Sequence, residues 1–559
     1  MSDRPADWLR FILVMVLLSV ITHVPLLVSG YPRGHDASYH LKWLYHFSTQ
    51  LKGGDLYPRW LAEMSGGLGG PSFYYYPPAS YYLASAVSLF IDPLTHGHYV
   101  MAVNALLMAV IGALGTFLFC RAYLSRGASL FAVIVFLVVP YRIVIDLYLR
   151  GDIAELASIS VIPYLFLVGV HLGQSVRRVF VITALSTALI VLTHPLVAMI
   201  ILPFSFSFRL LDALRSLERI RWLLVYSIAT FLGLALSCFY ILPALLVENS
   251  ASAGWDLFVV YDSFLFKRPV SPVPQIALLA LAAILVSAVI SLLGWLVVVW
   301  LSGKDRILPM FFTACALVCT FMLFEVSAPV YRLFSPLERM QFPWRYTTAL
   351  TFFACIAMAF VFDRVSHRLN KGAGVIRSVM LVVVLVWLVL ASVVGGSRAQ
   401  NGFTTKGNLA SIQRSHDAPE YRLSELAKLL PDSKEPLDFE KVTSDVDVDY
   451  SVIQWTENTM EVTALFEAGH EYQFARQYFG HWRLATADGN NASGSVQNTE
   501  GLVTYVPLQN TNSVLLVRDE FQAVTWGNRI SLMAGIVILI SLMLISRGKQ
   551  GGRTQTIES

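Results

Sequence analysis

Charged residues are scarce in this sequence. Only 14% of its 559 residues are Asp, Glu, Lys or Arg, whereas 56% are hydrophobic, and the mean hydropathy is +0.60. Because a soluble domain has about a quarter of its residues charged, this composition excludes a soluble globular protein of the same length. The net charge of +4 is too small to indicate a surface for binding nucleic acid. The composition therefore predicts a polytopic membrane protein.

Cysteine is also rare, and its positions exclude a disulfide framework. All five cysteines lie inside apolar runs: Cys120, Cys238, Cys315, Cys319 and Cys355. No pair falls in a polar segment, where an oxidising compartment could join it. The spacing of Cys315 and Cys319 is typical of helix packing more than of a metal site.

Long apolar runs predict the transmembrane helices. The first, Leu9 to Ser29, has Arg4 before it, Arg10 at its start and no cleavage pattern after it, which predicts an uncleaved helix with a cytoplasmic N-terminus. With eleven further runs, the prediction is about twelve spans. The eleven runs lie at 98–120, 127–144, 153–173, 179–193, 196–208, 222–246, 273–301, 308–325, 346–362, 379–396 and 526–545. The two short runs beside His194 and Pro195 are also consistent with one kinked helix.

The distribution of basic residues sets the orientation of these spans. Every loop placed inside is basic, as the positive-inside rule requires, and both termini are then cytoplasmic. The inner basic positions are Arg121 and Arg126, Arg177 and Arg178, Arg209 to Arg221, Lys304 and Arg306, Arg364 to Arg377, and Arg547 to Arg553. The outer face receives residues 30–92 and the loops at 140–155, 248–274 and 327–346.

The first outer loop, residues 30–92, is richest in candidate site residues. Its stretch from Gly34 to Tyr82 combines titratable side chains, glycines and many aromatic residues. Residues 35–51 have aromatic side chains at i, i+4 and i+8, which predicts an amphipathic helix at the membrane surface. Pro77 and Pro78 precede a second apolar helix, residues 79–91, which is too short to span a bilayer.

The composition changes to polar after the span at 379–396. Short alternating runs separated by Asn, Gly and Asp turns predict a β-sandwich, and residues 411–430 have a helical pattern. The predicted strands include 450–455, 460–465, 502–506 and 513–517. We therefore predict three regions: a transmembrane domain at 1–396, a periplasmic β-sandwich domain at 397–525, and a last helix with a cytoplasmic tail at 526–559.

Asp36 is the strongest candidate for a catalytic residue. It follows the first span by a few residues, where a carboxylate can act as a general base on an acceptor hydroxyl while a lipid-linked donor lies in the bilayer. The alternative interpretation is a solvated carboxylate that caps the surface helix. Asp36 could also form a metal site with His35, His40, His46 and Asp55, but these spacings are not a specific metal signature. No metal ligand and no cofactor is predicted.

Arginines at the outer bilayer edge are the candidate substrate-binding residues. Arg150 precedes Asp152 and Glu155 where a span re-enters the membrane, and an ionised side chain there needs a partner or a water-filled cavity. Arg150 could hold a phosphate with Glu155 orienting it, or the two could form a structural pair. Arg345, in Gln341-Phe342-Pro343-Trp344-Arg345, and Arg339 lie in an outer loop and favour anion binding. His194 is interpreted as a residue of the kink before Pro195.

These motifs resemble those of GT-C membrane glycosyltransferases. The resemblance rests on Asp36 in the first outer loop, the turn Asp55 to Trp60, and Tyr-Pro-Pro-x-x-Tyr-Tyr at Tyr76 to Tyr82. Arg-Gly-x-x-x-Glu at Arg150 to Glu155, Thr-His-Pro at 193–195 and Gln-Phe-Pro-Trp-Arg at 341–345 resemble bacterial 6-pyruvoyl-tetrahydropterin synthase-related membrane proteins. The C-terminal sandwich and last helix are similar to those of YfhO-like membrane proteins.

The resemblance implies an enzyme that transfers a sugar from a polyprenyl-phosphate donor to a glycan, lipid or protein acceptor. It implies a bacterial inner membrane, a catalytic Asp36, and Arg150 and Arg345 on the side of the lipid phosphate. We predict as substrate-binding residues His35, His40, Arg59, Arg150, Glu155, Arg339 and Arg345. The paired acidic motif of some GT-C enzymes is absent beside Asp36. Two other classes remain open: a transporter of a lipid-linked glycan, and a non-catalytic subunit of an envelope polysaccharide assembly complex.

Overall fold

The fold is described from a computed structural model of the chain. It describes residues 5–167, 175–214, 216–247, 307–367, 371–399, 417–418, 439–485 and 493–551. The helices predicted at 273–301 and 411–430, and the outer loop at 248–274, lie outside these ranges or almost entirely so.

The region before residue 400 is helical. Its first part contains α1 (Pro5–Ser29), α2 (Ala37–Lys52), α3 (Ser72–Tyr75), α4 (Ala79–Val87), α5 (Pro93–Tyr123), α6 (Arg126–Val138), a π-helix (Tyr141–Arg150) and α7 (Ile153–Phe166). Its second part contains α8 (Val176–Thr193), α9 (Pro195–Leu214), α10 (Arg219–Leu236), α11 (Cys238–Leu246), α12 (Ile307–Met322), α13 (Ala328–Leu333), α14 (Ser335–Glu338), α15 (Tyr346–Ser366) and α16 (Lys371–Ala399). The last helix, α17, is Gln522–Gly551.

Nine helical segments of the described chain are long and apolar enough to cross a membrane. The count becomes ten if α12 and the following short helices, bent by 94°, form one broken span. The prediction of a multi-pass helical protein is confirmed, whereas the count of about twelve stays a prediction. The predicted span at 153–173 appears as the 14-residue helix α7, and the span at 222–246 divides into α10 and α11 at Ser237.

Two of these segments form the centre of the helical region. In both Arg126–Arg150 and Pro343–Ser366, 89% of the most apolar window is buried by the rest of the protein, against 22% for Gly374–Ser397. α15 packs against α6, α7 and α12. Asp146, Arg150 and Arg345 therefore lie on the two innermost segments, where side chains are held by packing on all sides.

The predicted outer loop at 140–155 is wrong in its secondary structure. Residues Tyr141–Arg150 form a π-helix that continues α6 after Pro140, and all ten side chains are buried. Gly151 ends it in a left-handed conformation, at φ +74°, and Asp152 then caps α7. A π-helix is rare and is found mostly at functional sites. The change of helix type places Arg142, Asp146 and Arg150 inside the protein and not on its surface.

The predicted elements of residues 30–92 are present. α2 buries one face, which contains Trp43, Leu44 and Phe47. α4 begins directly after Pro77 and Pro78 and has nine residues, too few to span a bilayer. The rings of Trp43, Phe47, Phe73, Tyr76 and Tyr81 pack together at centroid distances of 4.7 to 6.4 Å. This aromatic packing fixes α2 and α4 against each other.

The polar C-terminal region is a sandwich of two four-stranded antiparallel sheets. One sheet has the order β1-β4-β7-β6 and the other the order β2-β3-β8-β5. The strands are β1 (Val442–Ser444), β2 (Tyr450–Trp455), β3 (Thr459–Phe466), β4 (Tyr472–Gln477), β5 (Trp482–Leu484), β6 (Gly494–Thr499), β7 (Leu502–Pro507) and β8 (Thr511–Arg518). Residues of both sheets, such as Phe474 and Leu516, form one hydrophobic core. The four strands predicted from alternation are present.

The sandwich contacts the first outer loop, residues 30–92, through a set of residues that we call the aromatic junction: Trp60, Tyr74, Glu457, Phe479, Arg518 and Phe521. The Arg518 guanidinium lies 5.5 to 5.9 Å from the ring centroids of Trp60, Tyr74, Phe479 and Phe521. It also donates to Glu457 and, over 3.1 Å, to the Tyr74 hydroxyl.

A second contact comes from Asp417, which precedes the sandwich. Its carboxylate accepts from Trp43 Nε1 over 2.8 Å and from Ser72 Oγ over 2.6 Å. Burial raises the pKa of Asp417, and the hydrogen bonds from Ser72 and Trp43 act in the opposite direction. The sandwich and the segment before it are therefore joined to the same loop that contains Asp36.

Candidate functional site

Two glycines bring the start of α2 against the end of the π-helix. The backbone N–H groups of His35 and Asp36 donate to the carbonyls of Leu149 and Arg150 over 3.1 and 2.8 Å. A Cβ on Gly34 would lie 2.4 Å from the Arg150 carbonyl oxygen, and one on Gly151 would lie 2.7 Å from the Ala37 Cβ. Only glycine permits this approach at both positions. The two segments are distant in sequence, yet they present their polar side chains to one another.

Arg150 lies among four carboxylates. Its Nη1 is 2.5 Å from Glu155 Oε2 and 2.8 Å from Asp146 Oδ1. Its Nη2 is 2.9 Å from Asp152 Oδ2 and 3.4 Å from Asp36 Oδ2. The Trp344 ring covers the guanidinium, with the Arg150 Cζ 4.7 Å from the ring centroid. We call Asp36, Asp146, Arg150, Asp152 and Glu155 the carboxylate centre.

The members of the carboxylate centre differ in exposure. The Asp36 side chain is 41% exposed, whereas that of Asp146 is fully buried. Asp36 precedes the first residue of α2, but its side chain makes no capping hydrogen bond. The alternative interpretation of its carboxylate as a helix cap is therefore wrong. Asp36 is the member of the centre that an incoming hydroxyl group can reach.

The buried carboxylates are fixed by further hydrogen bonds. Asp152 Oδ1 accepts from the backbone N–H groups of Ala154 and Glu155 over 2.9 and 3.0 Å, which caps α7. Glu155 Oε1 accepts from the Tyr141 hydroxyl over 2.7 Å and from the Thr348 hydroxyl. These contacts hold the centre in one geometry before any substrate binds.

His40 connects the carboxylate centre to the aromatic residues of the first loop. Its Nε2 lies 3.5 Å from Asp152 Oδ1, and its Nδ1 lies 2.6 Å from the Tyr81 hydroxyl. Because a carboxylate only accepts, we assign the proton to Nε2 and the donor role toward Nδ1 to Tyr81. Burial lowers the pKa of His40, although the Asp152 carboxylate acts to raise it. His40 is therefore neutral near pH 7.

The hydrogen-bond partners of Arg345 are neutral side chains. Its Nη2 donates to Gln341 Oε1 over 2.9 Å, its Nη1 lies 3.5 Å from His194 Nε2, and its buried Nε has no hydrogen-bond partner in the described chain. Gln341 has φ +65°, an uncommon conformation for a residue with a side chain. The guanidinium of Arg345 thus keeps hydrogen-bonding capacity that Arg150 has already used.

His194 is at the break between α8 and α9, as the kink interpretation requires, but it also faces the site. Its Nδ1 accepts from the Val197 backbone N–H over 3.3 Å, so the ring proton is on Nε2. Nε2 and Arg345 Nη1 are then two donors that face each other. Because the two nitrogens are 3.5 Å apart, one acceptor oxygen of a ligand could accept from both only from the side of the pair.

One group of side chains in the described chain has the proximity of a metal site. One ligand atom from each of Asp152, Glu155 and His194 lies within 4.8 Å of the others. The metal site that the sequence suggested, around Asp36, has other contacts. His40 faces Asp152, and Asp55 accepts from the Tyr57 N–H.

The structure brings together five of the eight predicted site residues: Asp36, His40, Arg150, Glu155 and Arg345. The other three lie elsewhere. The side chains of His35 and Arg339 are exposed. Arg59 Nη2 donates to the Phe239 carbonyl and to Asn528 Oδ1, which joins the first loop to α11 and α17.

Sequence reasoning missed Asp146, Tyr141 and Thr348, and it did not include Asp152 or His194 among the site residues. The spacing of Asp146 and Arg150 at i and i+4 within an apolar stretch was an available signal. Thr348 has no such signal, since it contacts Glu155 only through the packing of α15 against α7.

Comparisons with known proteins agree with a membrane protein. A family model described as the 6-pyruvoyl-tetrahydropterin synthase related domain, a membrane protein, matches residues 73–398, which is more than half of the chain. No curated protein matches the chain by sequence.

Several solved structures are similar over most of the chain. The arabinofuranosyltransferase AftD from Mycobacteria has 15% identity and a TM-score of 0.45, with 72% of this chain and 27% of that one covered. The oligosaccharyltransferase AglB from Archaeoglobus fulgidus, solved with an inhibitory peptide and a dolichol-phosphate, has 15% identity and a TM-score of 0.40, with 77% and 61% covered. ArnT from Cupriavidus metallidurans, bound to undecaprenyl phosphate, has 12% identity and a TM-score of 0.30, with 65% and 79% covered. The chain thus spans about a quarter of the length of AftD.

Proposed function

The chain belongs to the 6-pyruvoyl-tetrahydropterin synthase related family of membrane proteins, and we propose that it is a GT-C-type glycosyltransferase. It transfers a sugar from a polyprenyl-phosphate donor to a glycan, lipid or protein acceptor on the periplasmic side of a bacterial inner membrane. The observation that carries this proposal is the contact between Asp36 and Arg150, because it joins an exposed carboxylate to a preorganised polar centre on the innermost helices.

Asp36 is the general base of the proposed reaction. It takes the proton from an acceptor hydroxyl as that oxygen forms a bond to the anomeric carbon of the sugar. The bond from the anomeric carbon to the phosphate oxygen breaks, and the lipid phosphate leaves with the bonding electrons. A single displacement of this kind inverts the anomeric configuration. Arg150 fixes the Asp36 carboxylate from the side opposite to solvent.

We assign different roles to Arg150 and Arg345, for which the sequence predicted the same role. A phosphate at Arg150 would approach four carboxylates, so we assign Arg150 to positioning and not to phosphate binding. Arg345 has an unused Nε–H and neutral partners, and it faces the Nε2–H of His194. These donors suit a phosphate oxygen that gains negative charge as the lipid phosphate leaves. In this proposal Asp36 acts on the acceptor hydroxyl, which forms the new bond, and Arg345 acts on the lipid phosphate, which leaves.

The proposal is tested by sugar transfer in membranes that contain the protein. A panel of radiolabelled polyprenyl-phosphate hexoses and pentoses is supplied, and label in glycan, lipid and protein fractions is counted. We expect Asp36→Asn to reduce transfer by about a hundredfold to ten-thousandfold, since the amide cannot accept the proton. Asp447→Asn, at an exposed turn of the sandwich, is the matched control and is expected to transfer as the wild type does.

Two results would count against the proposal. Equal transfer by the wild type and Asp36→Asn would remove Asp36 as the base. No transfer by the wild type with any donor of the panel would remove the glycosyltransferase function itself.

A further inference from the structure

We propose that Arg150 is the built-in cation of the carboxylate centre, in the place that a divalent metal ion would otherwise take. The claim that Arg150 orients Asp36 for catalysis rests on the proposed function, whereas the claim that Arg150 takes the place of a metal ion does not. The centre would then assemble and orient Asp36 without a metal cofactor, and removal of Arg150 would create a metal site.

The ligands around Arg150 are those of a hard divalent cation. Four carboxylate oxygens, from Asp36, Asp146, Asp152 and Glu155, surround its two Nη atoms at 2.5 to 3.4 Å. Oxygen-rich sets of this kind bind Mg²⁺, Ca²⁺ and Mn²⁺. Here the positive charge belongs to a side chain, and the guanidinium has the planar fork that suits carboxylates.

The neighbouring group of Asp152, Glu155 and His194 fits a metal less well than its distances suggest. Both of its carboxylates already accept from Arg150. His194 uses the lone pair on Nδ1 for the Val197 N–H, so its Nε2 carries a proton and offers no lone pair. An ion there would also lie between Arg150 and Arg345, and two fixed positive charges would oppose it.

Arg150 is held so that it cannot exchange as a metal ion does. The Trp344 ring covers one face of its guanidinium, and its backbone carbonyl accepts from the Asp36 N–H over 2.8 Å. A guanidinium also keeps its charge at every pH at which the protein folds. We therefore expect the activity of the wild type to be insensitive to chelators.

Binding of Mn²⁺ to purified protein in detergent, measured by the loss of the free Mn²⁺ signal in electron paramagnetic resonance, tests the claim. We expect no stoichiometric binding to the wild type and about one Mn²⁺ per chain for Arg150→Ala, since its four carboxylates then lack a cation. Arg150→Lys keeps the charge and is the matched control, for which we expect no such binding. If Arg150→Ala does not fold, the double variant Asp146→Asn, Arg150→Ala is measured instead. It also removes the charge of one fully buried carboxylate that has lost its arginine.

The outcomes separate this inference from the proposed function. Stoichiometric Mn²⁺ binding to the wild type that is lost in Glu155→Gln would overturn the inference. Absence of Mn²⁺ binding in a folded variant without Arg150 would overturn it too. In the transfer assay we expect no effect of EDTA on the wild type, and partial recovery of Arg150→Ala by Mn²⁺. A wild type without transfer under any condition removes the proposed function, while the Mn²⁺ titration still decides the role of Arg150.

Discussion

Two buried arginines, Arg150 and Arg518, have opposite surroundings. Arg150 has four carboxylates and one aromatic ring, whereas Arg518 has the single carboxylate of Glu457 and four rings. At the aromatic junction one arginine contacts one carboxylate, and the rings cover the pair. At the carboxylate centre four carboxylates contact one arginine. Because a crowded set of buried ionisable groups is costly to assemble, it indicates a site kept for chemistry, while a single pair indicates a structural contact.

The largest expected effect is a loss of stability when the aromatic junction is disrupted. Arg518→Ala removes one partner of a buried pair and opens the aromatic junction, so we expect it to destabilise the sandwich by about 3–5 kcal/mol. The denaturant dependence of protease resistance of the sandwich measures this loss. Arg483→Ala is the control, because its pair with Asp519 is exposed and screened by solvent. Equal losses in the two variants would contradict the assignment of the junction as a structural contact.

The next effect tests the carboxylate centre without a change of charge. In Gly34→Ala the new Cβ would lie 2.4 Å from the backbone oxygen of Arg150, so the two segments must separate. We expect a loss of about 1–3 kcal/mol in unfolding free energy and a fall in transfer of about a hundredfold as Asp36 moves from Arg150. Thermal unfolding and the transfer assay measure the two effects. Gly127→Ala, on α6 with no atom within 4 Å of the new Cβ, should leave transfer unchanged. A Gly34→Ala variant with normal transfer would show that the backbone contact does not position Asp36.

The smallest effect concerns His40 and pH. Since burial lowers its pKa, the unfolded chain takes up a proton below about pH 6.5 that folded His40 does not. This group therefore reduces stability as pH falls through 6.5 toward its folded pKa, by at most about 1.4 kcal/mol per pH unit. His40→Gln removes the contribution, so the difference in unfolding midpoint between variant and wild type should change between about pH 7.5 and 5. A constant difference over this range would mean that the pKa of His40 is the same in the folded and the unfolded chain, and a change of opposite sign would mean that folding raises it.

Local patterns predicted most of the elements in the described chain. The strands at 450–455 and 502–506 followed from alternation, and the helix after Pro77 and Pro78 followed from its length. The residues at 140–155 did not follow. Their polar side chains are typical of a loop, and only packing on all sides could show that Arg142, Asp146 and Arg150 are inside a π-helix.

The sequence predicted the members of the site better than their roles. Asp36 and Arg150 were both predicted as site residues, and their side chains lie 3.4 Å apart. Arg150 and Arg345 were not distinguishable, because the difference lies in their neighbours and not in the arginines. The carboxylate of Asp146 and the facing donors of His194 and Arg345 come from three separate parts of the chain. Such contacts depend on tertiary packing, which no local pattern contains.

The contact of Asp417 with Trp43 and Ser72 has a consequence for the order of assembly. A chain is synthesised from its N-terminus, so α2 and α3 exist before residue 417 has been added. Until then Trp43 Nε1 and Ser72 Oγ lack the acceptor that they have in the folded protein. The same holds for the carbonyl of Leu68, which accepts from the Gln477 N–H. The loop that holds Asp36 therefore gains these contacts only when the C-terminal region has been made.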